Sequence, residues 1–417
     1  MPIAALPTDV VRQLGSSIAI VTPADLVKEL VENAIDASAT SIEVLISPDT
    51  LDRIEVRDNG HGVHQSDYNA LGRSGCTSKI RTFEDIQTLG GTTLGFRGQA
   101  LASANALGKV AITTRTIDET TAWALQLVPG VGGVETQKRT SGPVGTTVSV
   151  RQLFKQLPVR RRLGLKDATR TASNIKQMLY AYAMARPRVR LRFKILGLGT
   201  QQSWCYSPRP QANIKEAVIQ VFGAETMSQF VAETISSMPN QANDGTEDEQ
   251  EFVIEAILPK PGQVSSKLPK GSFFAIDSRP VSSHRGTAKL LLATFRSHIA
   301  KSALGSEDQK VLKNSLLCVN IHCPSGSYDP NLEPSKNDVS FMSPFTIMEL
   351  FERLCKKVYH ENLGSSLTKT VYRIKQYLDN EIETEAFSST CQRTRTIHMM
   401  KRKETKRSQF HKVSIRG

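Results

Sequence analysis

The stretch LVKELVENAIDASA, residues 26–39, places a carboxylate and a carboxamide one helical turn apart. At about 100° per residue, Val27, Leu30, Val31 and Ala34 form an apolar stripe, while Glu29, Glu32, Asn33 and Asp36 fall on the opposite side. Glu29 and Asn33 then project side by side. A carboxylate there can take a proton from water, and the amide oxygen can hold a hard cation. The stretch by itself equally suits an amphipathic helix with a solvated polar face.

The neighbouring run narrows the choice. Residues 42–46 and 53–56 alternate apolar and polar as strands do, joined by the turn SPDT, and the second strand ends in Asp58-Asn59-Gly60-His61-Gly62. Glycines at 60 and 62 let the backbone turn sharply or approach a flat ligand. Asp58 is placed to accept from an amino group. Further on, Gly72, Gly75, Gly90, Gly91 and Gly95 punctuate a loop that holds Thr77-Ser78-Lys79 and ends in GFRGQAL. A helix is predicted from Gln99, with Gly108 as its C-cap. A glycine-rich loop feeding a helix N-terminus offers free N–H groups and a positive dipole end to phosphate. The alternative is a plain surface loop.

Elements to position these groups are legible. Strands are expected at 110–114, 147–151 and 189–195 and a helix at 173–185, which suits an α/β sandwich covered by helices on one face. Prolines near 208–211 predict a boundary, so we expect domains at 1–207 and 208–362. The second offers strands at 252–258, 272–281 and 317–322 and helices at 287–300 and 346–359, with a polar acidic loop at 236–250 read as disordered. Residues 363–417 read as a basic tail or linker, helical over 368–383.

Taken together, VKELVENAIDASA, IEVRDNGHGV, CTSKI, LGFRGQALAS, GPVGTTVSVRQLFKQLPVRRR, DSRPV and DPNLEPSKNDVSF resemble the GHKL ATPases, and among them the MutL-type DNA mismatch repair proteins, most of all the eukaryotic PMS-type paralogs. The resemblance spans roughly residues 6–341. It implies an α/β (α+β) fold, a GHKL (Bergerat-type) ATPase sandwich followed by a transducer domain of ribosomal-protein-S5-like fold. It implies an Mg2+-dependent ATPase that drives domain closure and dimerisation on DNA, with another MutL-family subunit as heterodimer partner, MutS-type recognition proteins as further partners, and the nucleus as location. In that reading Glu29 is the general base and Asn33 holds Mg2+. Asp58 takes the adenine amino group, with Gly60 and Gly62 making room for the ring. Thr77, Ser78, Lys79 and Gly95, Phe96, Arg97 and Gly98 form lid and phosphate cradle, and Thr147 supports the adenine side. Lys336 reaches from the second domain to the terminal phosphate of ATP. The chain departs from the family pattern at Ser38, Gln99 and Glu333-Pro334, and IAIVTPAD stands where IAAGEV-Arg-Pro is usual. An accessory ATP- and DNA-binding scaffold with little hydrolysis is the rival reading.

Composition sets outer bounds. No apolar run approaches about 18 residues, so a membrane span is not expected. Six scattered cysteines without a CxxC suggest neither disulfide framework nor zinc site. No Walker-type, HExxH, GxSxG or DQHA-type endonuclease signature occurs. The net charge of +13 falls unevenly, with nine Lys/Arg against one Glu in residues 391–417, including the run Lys401–Arg407. Polyanion binding is expected from it. Arg160, Arg161, Arg162, Arg279 and Arg285 are the candidates for DNA contact, at phosphates rather than bases.

Overall fold

The computed structural model describes residues 5–82, 85, 91, 93–199, 203–237, 251–261, 268–302, 315–333 and 336–359. Gly90, Pro334, residues 238–250 of the acidic loop and the whole basic tail lie outside the described residues.

A helix that the sequence reading lacked, α1 (Thr8–Ala19), comes first. Next, α2 (Pro23–Asp36) starts in a capping box: the Thr22 hydroxyl accepts from Asp25 N while the Asp25 carboxylate accepts from Thr22 N at 2.8 Å. Leu26, Val27, Leu30 and Val31 are at most 3% exposed, so the stripe read from the sequence is the buried face.

That face lies on an eight-stranded sheet. Its strands are β1 (Ser41–Ile46), β2 (Arg53–Asp58), β3 (Lys109–Arg115), β4 (Ala122–Leu127), β5 (Val134–Thr140), β6 (Gly145–Arg151), β7 (Arg190–Ile195) and β8 (Trp204–Tyr206), in spatial order β5-β4-β3-β6-β2-β1-β7-β8. All pairs are antiparallel except β1 with β7. Ladder register sets Ile42, Val44 and Ile46 beside Ile54, Val56, Leu191 and Phe193, and carries the apolar face on through Val148, Val150, Val110 and Ile112. Alternation therefore puts every second residue on the other, polar face. Covering the apolar face are α2, α3 (Ala100–Leu107) and α5 (Ala168–Ala185). Gly108 does cap α3, but in extended rather than left-handed backbone. Leu157-Pro-Val-Arg-Arg-Arg opens a further helix, α4 (Pro158–Lys166), that buries no residue. Helices α6 (Ile214–Phe222) and α7 (Ala224–Ser228) lead away from β8.

A second, five-stranded sheet follows, with β9 (Phe230–Ser236), β10 (Val253–Pro259), β11 (Ser272–Ile276), β12 (Arg279–Val281) and β13 (Leu317–His322) in the order β12-β11-β13-β10-β9. Two helices, α8 (Gly286–Ser302) and α9 (Pro344–Tyr359), pack on each other, and α9 also reaches β9. A two-stranded pair, β14 (Tyr328–Asp329) with β15 (Ser340–Phe341), frames the loop that carries Lys336. Both sheets belong to one compact unit ending at Tyr359. Helix α5 lies at the seam, its Tyr180 in ring contact with Trp204 and Phe222, and Phe222 in turn with Phe273. Among the described residues, no helix is long and apolar enough to cross a membrane.

Candidate functional site

Glu29 and Lys336, 307 residues apart, meet at the heart of the site: Lys336 Nζ donates to Glu29 Oε1 at 3.1 Å and Oε2 at 3.0 Å. The same ammonium donates to Glu32 Oε2 at 2.9 Å. Glu32 is only 1% exposed and its other oxygen accepts from Tyr182 Oη at 2.9 Å. The polar face of α2 is thus an internal polar site and not a solvated one, and Glu32, which drew no role from its spacing, anchors the lysine. Lys336 sits in left-handed backbone (φ 52°), a strained state for a non-glycine residue. Glu333 shapes that turn: its carboxylate accepts from Asn337 N at 3.0 Å and pairs with Arg285.

Charge and burial divide these groups. Burial pushes the Glu29 carboxyl above its ordinary value, more than Lys336 pulls it down, and Glu32 adds to the rise. Burial also works against the Glu32 carboxylate, but Lys336, Lys28 and Arg279 outweigh it and hold Glu32 low. Burial disfavours the Lys336 ammonium too, yet its two carboxylates keep its proton on more tightly than usual.

One turn along α2, Asn33 Oδ1 accepts from Lys79 Nζ at 3.0 Å. Lys79 also pairs with Asp36 at 2.5 Å, and the Asp36 carboxylate accepts from Leu94 N at 2.8 Å and Gly95 N at 2.9 Å. Asp36, whose role the spacing left open, therefore ties α2 to the glycine loop. A Cβ at Gly95 would stand 2.8 Å from Lys79 Nζ and 3.3 Å from Asp36 Oδ2, so a side chain here would displace the lysine from its contacts on α2. Thr77 accepts from Lys79 N at 3.2 Å, whereas Ser78 is exposed. Phe96 is buried against Ile80 with Arg97 over its ring, so its ring serves the loop's packing rather than the cleft. Arg97 donates to Asn331 Oδ1 at 2.7 Å and 3.2 Å, linking the loop to the second sheet's module, and Gly98 (φ 61°) passes tight against Cys76 O.

At the end of β2, Asp58 Oδ1 accepts from Gly60 N at 2.8 Å and Thr146 N at 3.2 Å. Burial lifts the Asp58 carboxyl, although both N–H groups oppose it. Both bonds use Oδ1, and Oδ2 is the remaining acceptor. A Cβ at Gly60 would collide with Ala37 O at 2.6 Å, and Gly62 (φ 77°) lies against Arg115 O. The expectation for Thr147 is corrected. Thr147 is in register with Arg57 and Thr113, on the polar face of the sheet, while Thr146 shares the helix-covered face with Asp58. A strand's period of two makes a one-residue displacement a change of face.

The expectation for Arg279 also needs correction. Arg279 is 3% exposed and donates to Leu94 O and Thr93 O, each at 3.0 Å, so it clamps the glycine loop from β12 and is not available to DNA phosphates. Arg160 donates to Ser17 O at 3.0 Å and Ile20 O at 3.2 Å, completing the C-terminal end of α1, and stacks over Phe154. A long basic chain beside orphan carbonyls has a local use that sequence cannot separate from a phosphate contact. Arg162 is exposed, Arg161 half-buried, and Arg285 is exposed in its pair with Glu333.

A mixed sheet under three helices, Glu29 and Asn33 one turn apart on α2, an Asp-x-Gly-x-Gly strand end and a glycine loop define a GHKL-type ATPase fold. The model of histidine kinase-, DNA gyrase B- and HSP90-like ATPases matches residues 21–133. The chain is 31% identical over 361 residues to human PMS1 protein homolog 1, covering 85% of this chain and 36% of that protein. It is 34% identical over 221 residues to the DNA mismatch repair protein MutL of Aquifex aeolicus, covering 53% and 49%. The crystal structure of the N-terminal domain of a DNA repair protein superposes with TM-score 0.66 at 25% identity, over 84% of this chain and 98% of that one. The chain belongs to the MutL and PMS family of proteins with a GHKL ATPase domain. It spans about a third of the human relative's length.

Proposed function

We propose that the chain binds ATP with Mg2+, hydrolyses it slowly, and uses the cycle to drive closure between a 1–207 ATPase domain and a 208–362 transducer domain, as part of DNA mismatch repair. The observation that carries this is the bond between Glu29 and Lys336, which joins the candidate base to the second sheet's module at 3.0 Å. In this reading Asp58 accepts from the adenine amino group, which favours adenine over guanine, and Gly60 and Gly62 admit the ring. Thr77, Ser78 and Lys79, with the 95–98 backbone, receive the phosphates. Asn33 Oδ1 suits Mg2+ as an oxygen donor, with Lys79 giving way, and the ion neutralises phosphate charge. Glu29 takes the proton of a water whose oxygen bonds to the terminal phosphorus as the bond to the leaving ADP oxygen breaks. Its raised proton affinity favours that role.

Lys336 is the sensor. It can leave Glu29 for the terminal phosphate while Glu32 keeps hold of it, freeing the base only when a third phosphate is present. Nuclear location, a heterodimer with another MutL-family subunit, contact with MutS-type proteins and binding of DNA belong to the same proposal, with Arg161, Arg162, Arg285 and the basic tail as phosphate contacts.

The rival, an accessory ATP- and DNA-binding scaffold with little hydrolysis, is favoured by one observation: with Lys336 on it, Glu29 is neutralised as a base. ATP turnover by the purified chain with Mg2+, beside a Glu29→Ala variant and with binding measured on both, decides between them. Turnover that vanishes in a variant still binding ATP supports the ATPase. Binding without turnover in either selects the scaffold, and no binding refutes the site.

A further inference from the structure

The polar face of the large sheet carries a charge pattern that stability does not explain. Register sets Arg53 directly opposite Arg151, and Arg151 directly opposite Lys109, so three cations stand in one row across β2, β6 and β3. Like charges directly opposite destabilise a sheet. Only Arg53 has a carboxylate in that row's vicinity, Glu55 at 2.6 Å; among the described residues neither Arg151 nor Lys109 is in an ion pair, and both are exposed. At the parallel edge, β7 adds Arg190, Arg192 and Lys194 to the same face, against Glu43 alone on β1. Between that row and β7 the face carries Thr147 and Ser149 on β6, Glu55 and Arg57 on β2, and Glu43 and Leu45 on β1, with Arg57 paired to Glu55 at 2.5 Å and to Glu43 at 3.5 Å; Ala111 and Thr113 lie beside β6 on β3. The helices that contact this sheet, α2, α3 and α5, pack against its other face.

We infer that this open face is a docking surface for the sugar-phosphate backbone of duplex DNA. The small side chains on β6 and β3 let a stiff rod approach there, and the long cationic chains of Arg151, Lys109 and β7 reach phosphates without reading bases. The cross-strand repulsion is then relieved when phosphates lie over the row. This assignment rests on the DNA-binding part of the proposed function and names its surface, distinct from the α4 arginines.

The test is duplex binding by fluorescence anisotropy across a salt series, with the full chain and its Lys109→Gln/Arg151→Gln variant. Removing two phosphate contacts should lower affinity about tenfold or more near physiological salt and shrink the log–log salt slope by about 2, at roughly 0.9 per contact. The same variant should melt no lower than the parent, since it loses only repulsion, and a retained melting point shows that the fold survives. Unchanged affinity and slope in a folded variant overturn the assignment while leaving DNA binding intact. A parent chain that binds no duplex overturns both. Loss of binding to polyglutamate with duplex binding unchanged also overturns it, by pointing to an acidic polypeptide.

Discussion

Removing the Lys336 ammonium should destabilise the folded chain because it leaves two carboxylates facing each other inside the protein. In Lys336→Met the side-chain volume is nearly kept, but Glu29 and Glu32 lose bonds of 3.0 Å and 2.9 Å. Deleting one partner of a buried pair costs about 3–5 kcal/mol. Lys28, 3.9 Å from Glu32, and Arg279 remain to compensate, so about 3 kcal/mol is expected. That is a large share of the roughly 5–15 kcal/mol by which domains are stable. Denaturant unfolding gives the value directly. Adding Glu32→Gln removes the like-charge contact while Gln can still accept from Tyr182, so the double variant should recover about 1–3 kcal/mol relative to additivity.

The pH dependence has a definite sign. Glu32 is held low in the folded chain, so its contribution is present above the unfolded carboxylate value and lost as pH falls through the folded one. Without Lys336 that downward pull on Glu32 and Glu29 disappears and both carboxyls titrate higher. The variant's deficit should therefore be greatest near neutral pH and shrink on acidification. Additive single and double variants, or a deficit that does not change with pH, would refute the coupled triad.

Asp58→Ala should weaken ATP binding about 10- to 100-fold, the worth of one charged hydrogen bond, with little loss in residual GTP binding; calorimetric titration with both nucleotides checks it. Arg279→Gln should leave duplex affinity unchanged, because the group is buried, yet weaken nucleotide binding by freeing the Thr93 and Leu94 carbonyls; anisotropy and titration on one preparation separate the two. Ser38 occupies left-handed backbone just past α2 (φ 59°), so Ser38→Gly should stabilise by about 0.5–1 kcal/mol, read by thermal unfolding.

What the sequence disclosed follows from how local each feature is. The apolar stripe of α2, the β1–β2 pair and the Asp58 turn depend on neighbours within a few residues, and periodicity displays them. Helix α1 carries Val11, Leu14 and Ile18 at helical spacing, yet those side chains stay more than half exposed, so its apolar stripe is not a core face. Which of Thr146 and Thr147 shares a face with Asp58 is a matter of strand parity, and only the ladder with β2 fixes it. Arg279 could not be told from a surface cation, since its burial is set by carbonyls 185 and 186 residues away.

The departures from the family pattern belong to the same argument. Gln99, where glutamate is usual, exchanges hydrogen bonds with Ser74 at 2.9 Å and 3.1 Å, holding the loop without adding an anion near the phosphate cradle. Glu333, where histidine is usual, caps the turn that presents Lys336 through Asn337 N. Each of these two residues makes a contact that positions a loop, and each differs in charge from the residue usual in the pattern. The local electrostatics are thus where this chain should differ from its relatives, and the Lys336 triad, in which one cation serves two carboxylates, is where that difference should be felt first. In the proposed cycle Lys336 keeps its anchor on Glu32 and exchanges Glu29 for the terminal phosphate, so that the phosphate holds the two sheets together in place of the carboxylate.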